Sequence, residues 1–283
     1  MGSFINEKIC FYSSMFEGRS CMREIIECAH SFGVHGVEMM NFCDELRTPD
    51  RAAARELAAL ARGYGLSLPV FSAGIKLTEE VGAANREKLC RYVEICSELE
   101  IPILHHTIHP ALNPEMQPKG EKFEAIFAEG VEAALEINEF AKRYGIRTVV
   151  EDQGLVFNGY ENYNRFFKET EGKVGALLDV GNIFFADGNP CDLLEGLAVE
   201  PVHVHIKDYG YREESIGGET VFRSPAGRGF GASRIGTGDV DLARLAKGLK
   251  ARGYDGLYSI EFERVKDMNE VAEVLKLLED TFA

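Results

Sequence analysis

The amino-acid sequence predicts an α/β fold, a (β/α)8 TIM barrel that forms one domain over residues 1–283. Short apolar runs alternate with segments of helical length along the chain, a pattern typical of parallel strands joined by helical crossovers. The chain contains eight such pairs, and its length of 283 residues is close to the roughly 250 residues of an ordinary barrel. No linker or low-complexity stretch divides the chain, and ionisable residues gather at the ends of the last four predicted strands.

The strands are predicted from short apolar runs bounded by polar residues or glycine. They span Lys8–Tyr12, Gly36–Met40, Leu66–Ser72, Ile101–Thr107, Arg147–Glu151, Lys173–Asp179, Val202–Lys207 and Leu257–Phe262. Parallel strands of a barrel end at the same rim, which is where active sites of this fold lie.

Helices are predicted between the strands, and several end where a glycine follows. They lie near residues 19–32, 50–63, 78–99, 119–144, 160–170, 190–198, 239–251 and 267–281. Gly65, Gly145 and Gly253 follow three of these helices, and glycine adopts the left-handed conformation that ends a helix. A doubly wound open sheet is disfavoured because the first turn, Ser13–Gly18, is not a glycine-rich phosphate turn.

Composition excludes several classes of partner. The chain has 46 Asp and Glu residues against 31 Lys and Arg residues, a net charge of −15, so we expect no nucleic-acid partner. No run approaches the roughly 18 apolar residues of a membrane span, and Met1–Lys8 contains no signal-peptide core. Seven irregularly spaced cysteines favour free thiols in a reducing cytosol, so we expect a cytoplasmic protein. The sequence leaves a homo-oligomer open.

Polar side chains alternate with apolar ones in the last two strands. Val202, Val204 and Ile206 share one face of the seventh strand, and this apolar set should meet the helices. The other face, which carries His203, His205 and Lys207, should therefore point into the barrel. By the same argument Glu261 points inward from the eighth strand.

Four ionisable residues thus converge on one rim. Glu151 and Asp179 end the fifth and sixth strands, and His205 and Glu261 lie near the ends of the next two. Three carboxylates buried together would cost several kcal/mol per charge without a cation. A site for one divalent ion accounts for all four together, whereas separate salt bridges would account for each residue singly.

The motifs around these residues resemble the xylose isomerase-like sugar phosphate isomerase/epimerase superfamily. The resemblance covers residues 147–262 and rests on Val149–Asp152, Leu177–Asn182, His203–Asp208, Ile235–Asp241 and Ser259–Glu261. It implies that Glu151, Asp179, His205 and Glu261 bind one divalent metal ion. Oxygen-rich coordination favours Mn2+, Mg2+ or Co2+, with Zn2+ as a further candidate. The resemblance also implies that Glu151 and Glu261 form the acid/base pair, with a small carbohydrate as substrate.

Two positions depart from the ketose 3-epimerase branch of that superfamily. Asn182 stands where those members have histidine, and Tyr211, followed by Arg212, stands where they have a substrate-binding arginine. The substrate is therefore left open. We expect Glu38, His106, Asn182, Lys207 and Arg212 to contact it. His106 and its neighbour His109 could equally belong to a hydrogen-bonded loop, and Glu38 could equally form a buried salt bridge.

A long segment, residues 208–238, follows the seventh strand and is rich in glycine and arginine. Segments of this length in compact domains are usually functional lids or disordered, so we expect it to cover the barrel mouth.

The favoured activity is isomerisation or epimerisation of a hydroxy-ketone by proton transfer through an enediolate. A dehydratase acting on a keto-sugar or keto-inositol would use the same site but expel water. An AP endonuclease-like phosphodiesterase is disfavoured by the net charge of −15 and by the lack of most of that group's histidines. A barrel that binds sugar without catalysis is disfavoured by the presence of both glutamates.

Overall fold

The computed structural model describes residues 3–12, 21–215, 218, 220–262, 265 and 267–283. These described residues contain twelve strands. In chain order they are β1 Ile9–Tyr12, β2 Gly36–Val37, β3 Met39–Met40, β4 Val70–Ala73, β5 Ile103–His106, β6 Arg147–Glu151, β7 Gly175–Asp179, β8 Pro201–Ile206, β9 Tyr209–Tyr211, β10 Phe222–Arg223, β11 Gly229–Ala232 and β12 Tyr258–Glu261. The turn Ser13–Gly18 lies outside the described residues.

Nine of these strands form one parallel sheet in the order β2-β1-β12-β8-β7-β6-β5-β4-β3. Its two end strands, β2 and β3, are consecutive pieces of the single predicted second strand, separated only by Glu38. The sheet therefore closes on itself, and the predicted (β/α)8 barrel is confirmed. Glu38 donates its backbone N–H to the Phe11 carbonyl at 3.0 Å, so the closure passes through this residue.

The helices follow the predicted alternation with the strands. Within the described part of the chain they are α1 Phe4–Lys8, α2 Met22–Phe32, α3 Arg51–Gly63, α4 Gly82–Glu98, α5 Glu121–Lys142, α6 Tyr160–Glu169, α7 Pro190–Glu195, α8 Leu242–Ala251 and α9 Met268–Phe282. Side-chain caps set several starts: Asp50 accepts the N–H groups of Ala52 and Ala53 at the start of α3. No helix among the described residues combines the length and apolar character needed to cross a bilayer.

The apolar core lies between the barrel and the surrounding helices. Phe11, Val204, Ile206 and Ile260 point outward from their strands and are 0–1% exposed. Cys10 and Gly36 are paired on neighbouring strands, and a Cβ at Gly36 would lie 2.4 Å from the Ser67 carbonyl oxygen. Because glycine has no Cβ, β2 can approach the Ser67 backbone closely at Gly36.

Several elements were not predicted from the sequence, among them a first helix and a small sheet. Helix α1 is short and precedes the first strand, where Ser3 caps it by accepting the Ile5 N–H. Strands β9, β11 and β10 form a small antiparallel sheet inside the segment 208–238. That segment therefore contains regular structure, although residues 216, 217 and 219 lie outside the described residues.

We predict that the Tyr163 hydroxyl stabilises the packing of helix α6 against strands β6 and β7. This buried hydroxyl lies 2.8 Å from the carbonyl oxygens of both Val150 on β6 and Leu177 on β7. Tyr163→Phe should lower the free energy of unfolding by about 1–3 kcal/mol, because it leaves a buried acceptor without its donor. Urea unfolding measures the change. Tyr160→Phe on the same helix, 54% exposed, is the control and should change it by less than about 0.5 kcal/mol; equal effects would contradict the prediction.

Candidate active site

Alternate side chains of the barrel strands meet inside it at the carboxyl end, as the sequence predicted for β8 and β12. Cross-strand pairing sets Asp179 beside His205 and His205 beside Ser259. Glu261 is paired in the same way with Tyr12. These residues come from four neighbouring strands, so the sheet register alone brings together groups that are distant in sequence.

Three of the four predicted metal ligands form one compact group. One ligand atom from each of Glu151, Asp179 and His205 lies within 4.8 Å of the others, and all three residues are buried. Asp179 accepts the N–H groups of Gly181 and Asn182 through Oδ1, at 2.8 and 3.0 Å, which directs Oδ2 inward. Nδ1 of His205 lies 3.9 Å from that oxygen and has no hydrogen-bond partner among the described residues.

This arrangement fits a divalent cation. Two carboxylates and one imidazole are a donor set that suits Mn2+, Co2+ and Zn2+, and Mg2+ through the oxygens. A buried imidazole nitrogen without a partner, aimed at a carboxylate oxygen, is an unsatisfied group that an ion would satisfy.

Glu261 stands outside that group of three, on the other side of an ammonium. Nζ of Lys207 lies 2.9 Å from Asp179 Oδ2 and 3.0 Å from Glu261 Oε2. Burial alone would lower the pKa of Lys207, but Asp179 and Glu261 raise it well above its ordinary value. The lysine stem passes over Gly181, where a Cβ would lie 2.6 Å from its Cγ. Lys207 is thus a built-in cation that links two predicted ligands.

Glu151 is held from two sides. Asn182 donates its side-chain N–H to Oε2 at 3.1 Å, and Nε2 of His105 lies 3.4 Å from Oε1. Burial would raise the pKa of Glu151, yet His105 and His205 bring it below its ordinary value. The carboxylate is therefore ionised near neutral pH, the state required of a metal ligand or a base.

Two residues at this rim were missed by the sequence reasoning. His105 faces the interior with Ser72 and Glu151, and strand alternation applied to β5 would have identified it. Asp152 accepts the Asp179 backbone N–H at 2.9 Å and so joins the ends of β6 and β7. Burial and the nearby Asp179 charge raise the pKa of Asp152 well above its ordinary value, which favours its protonated form.

A second polar layer, centred on Glu38, lies below the rim. Its carboxylate contacts His203, His205, Ser72 and Ser259 and is completely buried. Burial would raise the pKa of Glu38, but His205 and His203 hold it well below its ordinary value. Burial likewise opposes the charged form of His205, while Glu38 raises the pKa of His205 to about 9. Burial lowers the pKa of His203, so the positive charge resides on His205.

The predicted substrate-binding residues lie at different depths. Asn182 and Lys207 contact the rim carboxylates directly. His106 is buried, and alternation along β5 puts its ring on the opposite face from His105. There Nδ1 lies 3.1 Å from the Thr107 carbonyl, and burial lowers the pKa of His106 to about 4. His109 contacts Thr78 at 2.8 Å in a neighbouring loop.

Arg212 directly follows β9 of the small sheet, and its backbone N–H donates to the Gly229 carbonyl at 2.9 Å. Its guanidinium crosses Gly231 and donates to the Ala232 carbonyl. An aromatic cluster packs the small sheet against the 3₁₀ helix Asn182–Ala186. The cluster comprises Phe184, Phe185, Tyr209, Phe222 and Phe230. The sheet therefore adjoins the helix that carries Asn182.

Asp208, next to Lys207, joins the beginning of the segment 208–238 to its end. Its carboxylate accepts the N–H groups of Gly236 and Gly238 at 2.9 Å and of Val240 at 3.2 Å. In the sequence, Asp208 is distinguished only as the last residue of the motif His203–Asp208. Closure of this segment over the barrel mouth stays a prediction.

Known proteins share this architecture. The chain is 26% identical over 209 residues to the uncharacterized protein MJ1311 of Methanocaldococcus jannaschii, a match that covers 71% of this chain and 64% of that protein. An IOLI protein with a bound zinc atom superposes with a TM-score of 0.75 at 18% identity, covering 97% of this chain and 98% of that one. A D-psicose 3-epimerase in the presence of D-fructose gives 0.73 at 17% identity, covering 97% and 99%. At these identities the two structural likenesses establish the fold alone.

A family model described as the xylose isomerase-like TIM barrel matches residues 26–281, nearly the whole sequence. The resemblance inferred from the motifs is thereby confirmed: this chain belongs to the xylose isomerase-like TIM barrel family.

Proposed function

We propose that this chain is a metal-dependent isomerase or epimerase of a small sugar or sugar-like hydroxy-ketone, acting by proton transfer through an enediolate of the substrate. The observation that carries the proposal is the buried group of Glu151, Asp179 and His205, with a second glutamate, Glu261, beside it at the open end of the barrel. Its fold neighbours include a D-psicose 3-epimerase and a zinc-bound protein, which supports sugar chemistry and a metal.

Glu151, Asp179 and His205 would hold the ion, and Glu261 would join them by moving off Lys207. When bound, the ion supplies a Lewis acid that polarises the substrate carbonyl. Asp179 is prepared for this task because two backbone N–H groups fix Oδ1 and leave Oδ2 toward the interior. Lys207 can then donate from Nζ to a substrate oxygen at the same rim, and Asn182 keeps Glu151 oriented.

The two glutamates differ in environment, as an acid/base pair requires. The Glu151 side chain is 5% exposed and ionised by its surroundings, whereas that of Glu261 is 19% exposed and lies nearer the mouth. One would remove the carbon-bound proton and the other would return one to the same or the neighbouring carbon. Excluding water from this rim would strengthen the electrostatic interactions of both glutamates with the substrate. Glu38 lies in the polar layer below the rim, His106 lies on the opposite face of β5 from His105, and Arg212 donates to the Ala232 carbonyl. Any contact of these three residues with substrate is a separate proposal.

A dehydratase using the same enediolate is distinguished by product mass. An isomerase or epimerase conserves the mass of its substrate, whereas a dehydratase releases one water. Mass spectrometry of the product separates the two activities without further assumptions.

We predict that removing one ligand charge abolishes tight metal binding. Asp179→Asn keeps the size of the side chain and an oxygen for the Gly181 and Asn182 N–H groups, but it removes the negative charge. Mn2+ affinity, measured by titration calorimetry, should fall by more than about 10²-fold, the upper range for groups outside the ligand set. The control is Asp187→Asn, a carboxylate that pairs with Arg228 at the end of the neighbouring 3₁₀ helix. Unchanged affinity in Asp179→Asn would remove this residue from the site.

We predict that metal binding releases a proton from His205. In the metal-free chain Glu38 and the neighbouring carboxylates raise the pKa of His205 to about 9 against the effect of burial, so Nδ1 is protonated at neutral pH. A metal needs that nitrogen deprotonated, so the ion competes with the proton. Mn2+ affinity should therefore rise roughly tenfold per pH unit between about pH 6 and pH 8. Calorimetry in buffers of different ionisation enthalpy should count about one proton per ion, and a flat affinity over this interval would contradict the assignment.

We predict that Glu151→Gln and Glu261→Gln each slow exchange of a carbon-bound substrate proton with solvent by at least about 10²-fold, because each keeps the shape but removes the base. The assay is deuterium incorporation from heavy water into a panel of ketoses, keto-inositols and hydroxypyruvate. Glu129→Gln is the control, since that carboxylate lies on α5 and accepts the Glu79 backbone N–H.

Two outcomes of this assay would contradict the mechanism. Turnover without deuterium in the product would point to a hydride shift or shielded transfer. Near wild-type rates in both glutamine variants would leave only the metal site standing.

A further inference from the structure

Glu38 lies at the interruption between β2 and β3, below the group of Glu151, Asp179 and His205. Oε1 accepts from Nε2 of His203 at 2.5 Å, from Ser259 Oγ at 2.5 Å and from Nε2 of His205 at 3.1 Å. Oε2 accepts from Ser72 Oγ at 2.6 Å. One buried carboxylate thus joins side chains of three other strands, β4, β8 and β12.

The contact with His205 determines which ring nitrogen faces the rim. Because Nε2 points down to Glu38, Nδ1 points toward Asp179 and has no hydrogen-bond partner among the described residues. The ring is also stacked on Tyr12, with centroids 4.5 Å apart, and meets the edges or faces of His105 and His203 at 5.5 Å. Rotation of the ring would break the Glu38 contact and displace these neighbours.

The geometry does not favour a second ion among Glu38, His203 and His205, although these residues also form a compact group. Ligands about 2.0–2.1 Å from a tetrahedral ion lie about 3.3 Å apart. Here His203 Nε2 is 2.5 Å from the Glu38 oxygen, a hydrogen-bond distance, and Ser259 approaches the same oxygen equally closely. The oxygen is already occupied by donors.

A direct contact with substrate is also disfavoured. Glu38 has no exposed surface, and both of its oxygens accept hydrogen bonds from barrel side chains. A substrate hydroxyl would have to displace His205 to reach it, which would dismantle the ligand group above.

We propose that Glu38 is a positioning residue that presents Nδ1 of His205 to the metal. This inference rests on the proposed function, since it assigns Glu38 a task only if an ion binds at the rim. Carboxylates that accept from the second nitrogen of a ligating histidine fix its orientation and raise its basicity. Here that role is supported by His203, Ser72 and Ser259, which hold the carboxylate in place.

The test is Mn2+ affinity without substrate, measured by calorimetry on the full chain. Glu38→Gln removes the charge but keeps the reach, and affinity should fall about 10–100-fold. Glu38→Asp keeps the charge but withdraws it from His205, and affinity should fall about tenfold or more. If the glutamine variant does not fold, the aspartate variant alone decides the question.

The matched control is Thr148→Val. Thr148 is completely buried and its hydroxyl donates to Asn138 at 3.0 Å, on the outward face of β6. This variant also removes a buried hydrogen bond from the barrel, so a general loss of stability would appear in both. Wild-type Mn2+ affinity in Thr148→Val, with weakened binding in both Glu38 variants, is the expected result.

Other results would overturn the inference. If Mn2+ affinity fell in Glu38→Gln but not in Glu38→Asp, Glu38 would act through its charge alone and not by positioning His205. Unchanged Mn2+ affinity with a raised KM would make it a substrate contact. Two ions per wild-type chain, one of them lost in His203→Gln, would make it a ligand. A wild-type chain that binds no Mn2+ would refute the metal site itself, and the inference would fall with it, whereas the first three results leave the proposed function intact.

Discussion

Burying carboxylates inside a barrel is the constraint on which the rest of this structure depends. Glu38, Glu151, Asp152 and Asp179 are all at most 4% exposed. Each ionised one needs a compensating charge or several donors, because unpaired burial costs several kcal/mol per ion. The chain uses three different solutions. Burial favours the neutral form of Asp152, Glu38 is balanced by His205, and Asp179 shares Lys207 with Glu261.

These solutions leave the rim short of positive charge. Among the described residues, the contacts of Glu38, Asp179 and Glu261 supply one ammonium, that of Lys207, and one imidazolium, that of His205, so with Glu151 the carboxylates outnumber these cations. A divalent ion that displaces the His205 proton adds a net single positive charge and reduces this excess. The excess of carboxylates thus favours an ion at this rim, beside the Lys207 ammonium that joins Asp179 to Glu261.

Much of the fold and part of the candidate site could be predicted from the sequence. Strand alternation placed His203, His205 and Glu261 inward, because the apolar faces of β8 and β12 are unambiguous. It did not reveal depth along the axis, so Glu38 could not be distinguished from a rim residue. His106 was preferred to His105 because the alternation of β5 was not followed. Arg212 directly follows β9 of a small sheet that packs through Phe230 against Phe184, and such tertiary packing leaves no local signal in sequence.

The polar layer around Glu38 also bears on how substitutions in this family should be interpreted. Barrel interiors are usually filled by branched apolar side chains, whereas here Ser72, His203 and Ser259 surround a carboxylate at the point where the sheet closes. The same hydrogen bonds therefore close the barrel and orient His205. A change in this layer alters the unfolding free energy and the geometry of the ligand group together, so activity alone cannot separate the two effects. Metal affinity in a folded variant can, because the orientation of His205 enters the free energy of ion binding directly while a uniform loss of stability does not.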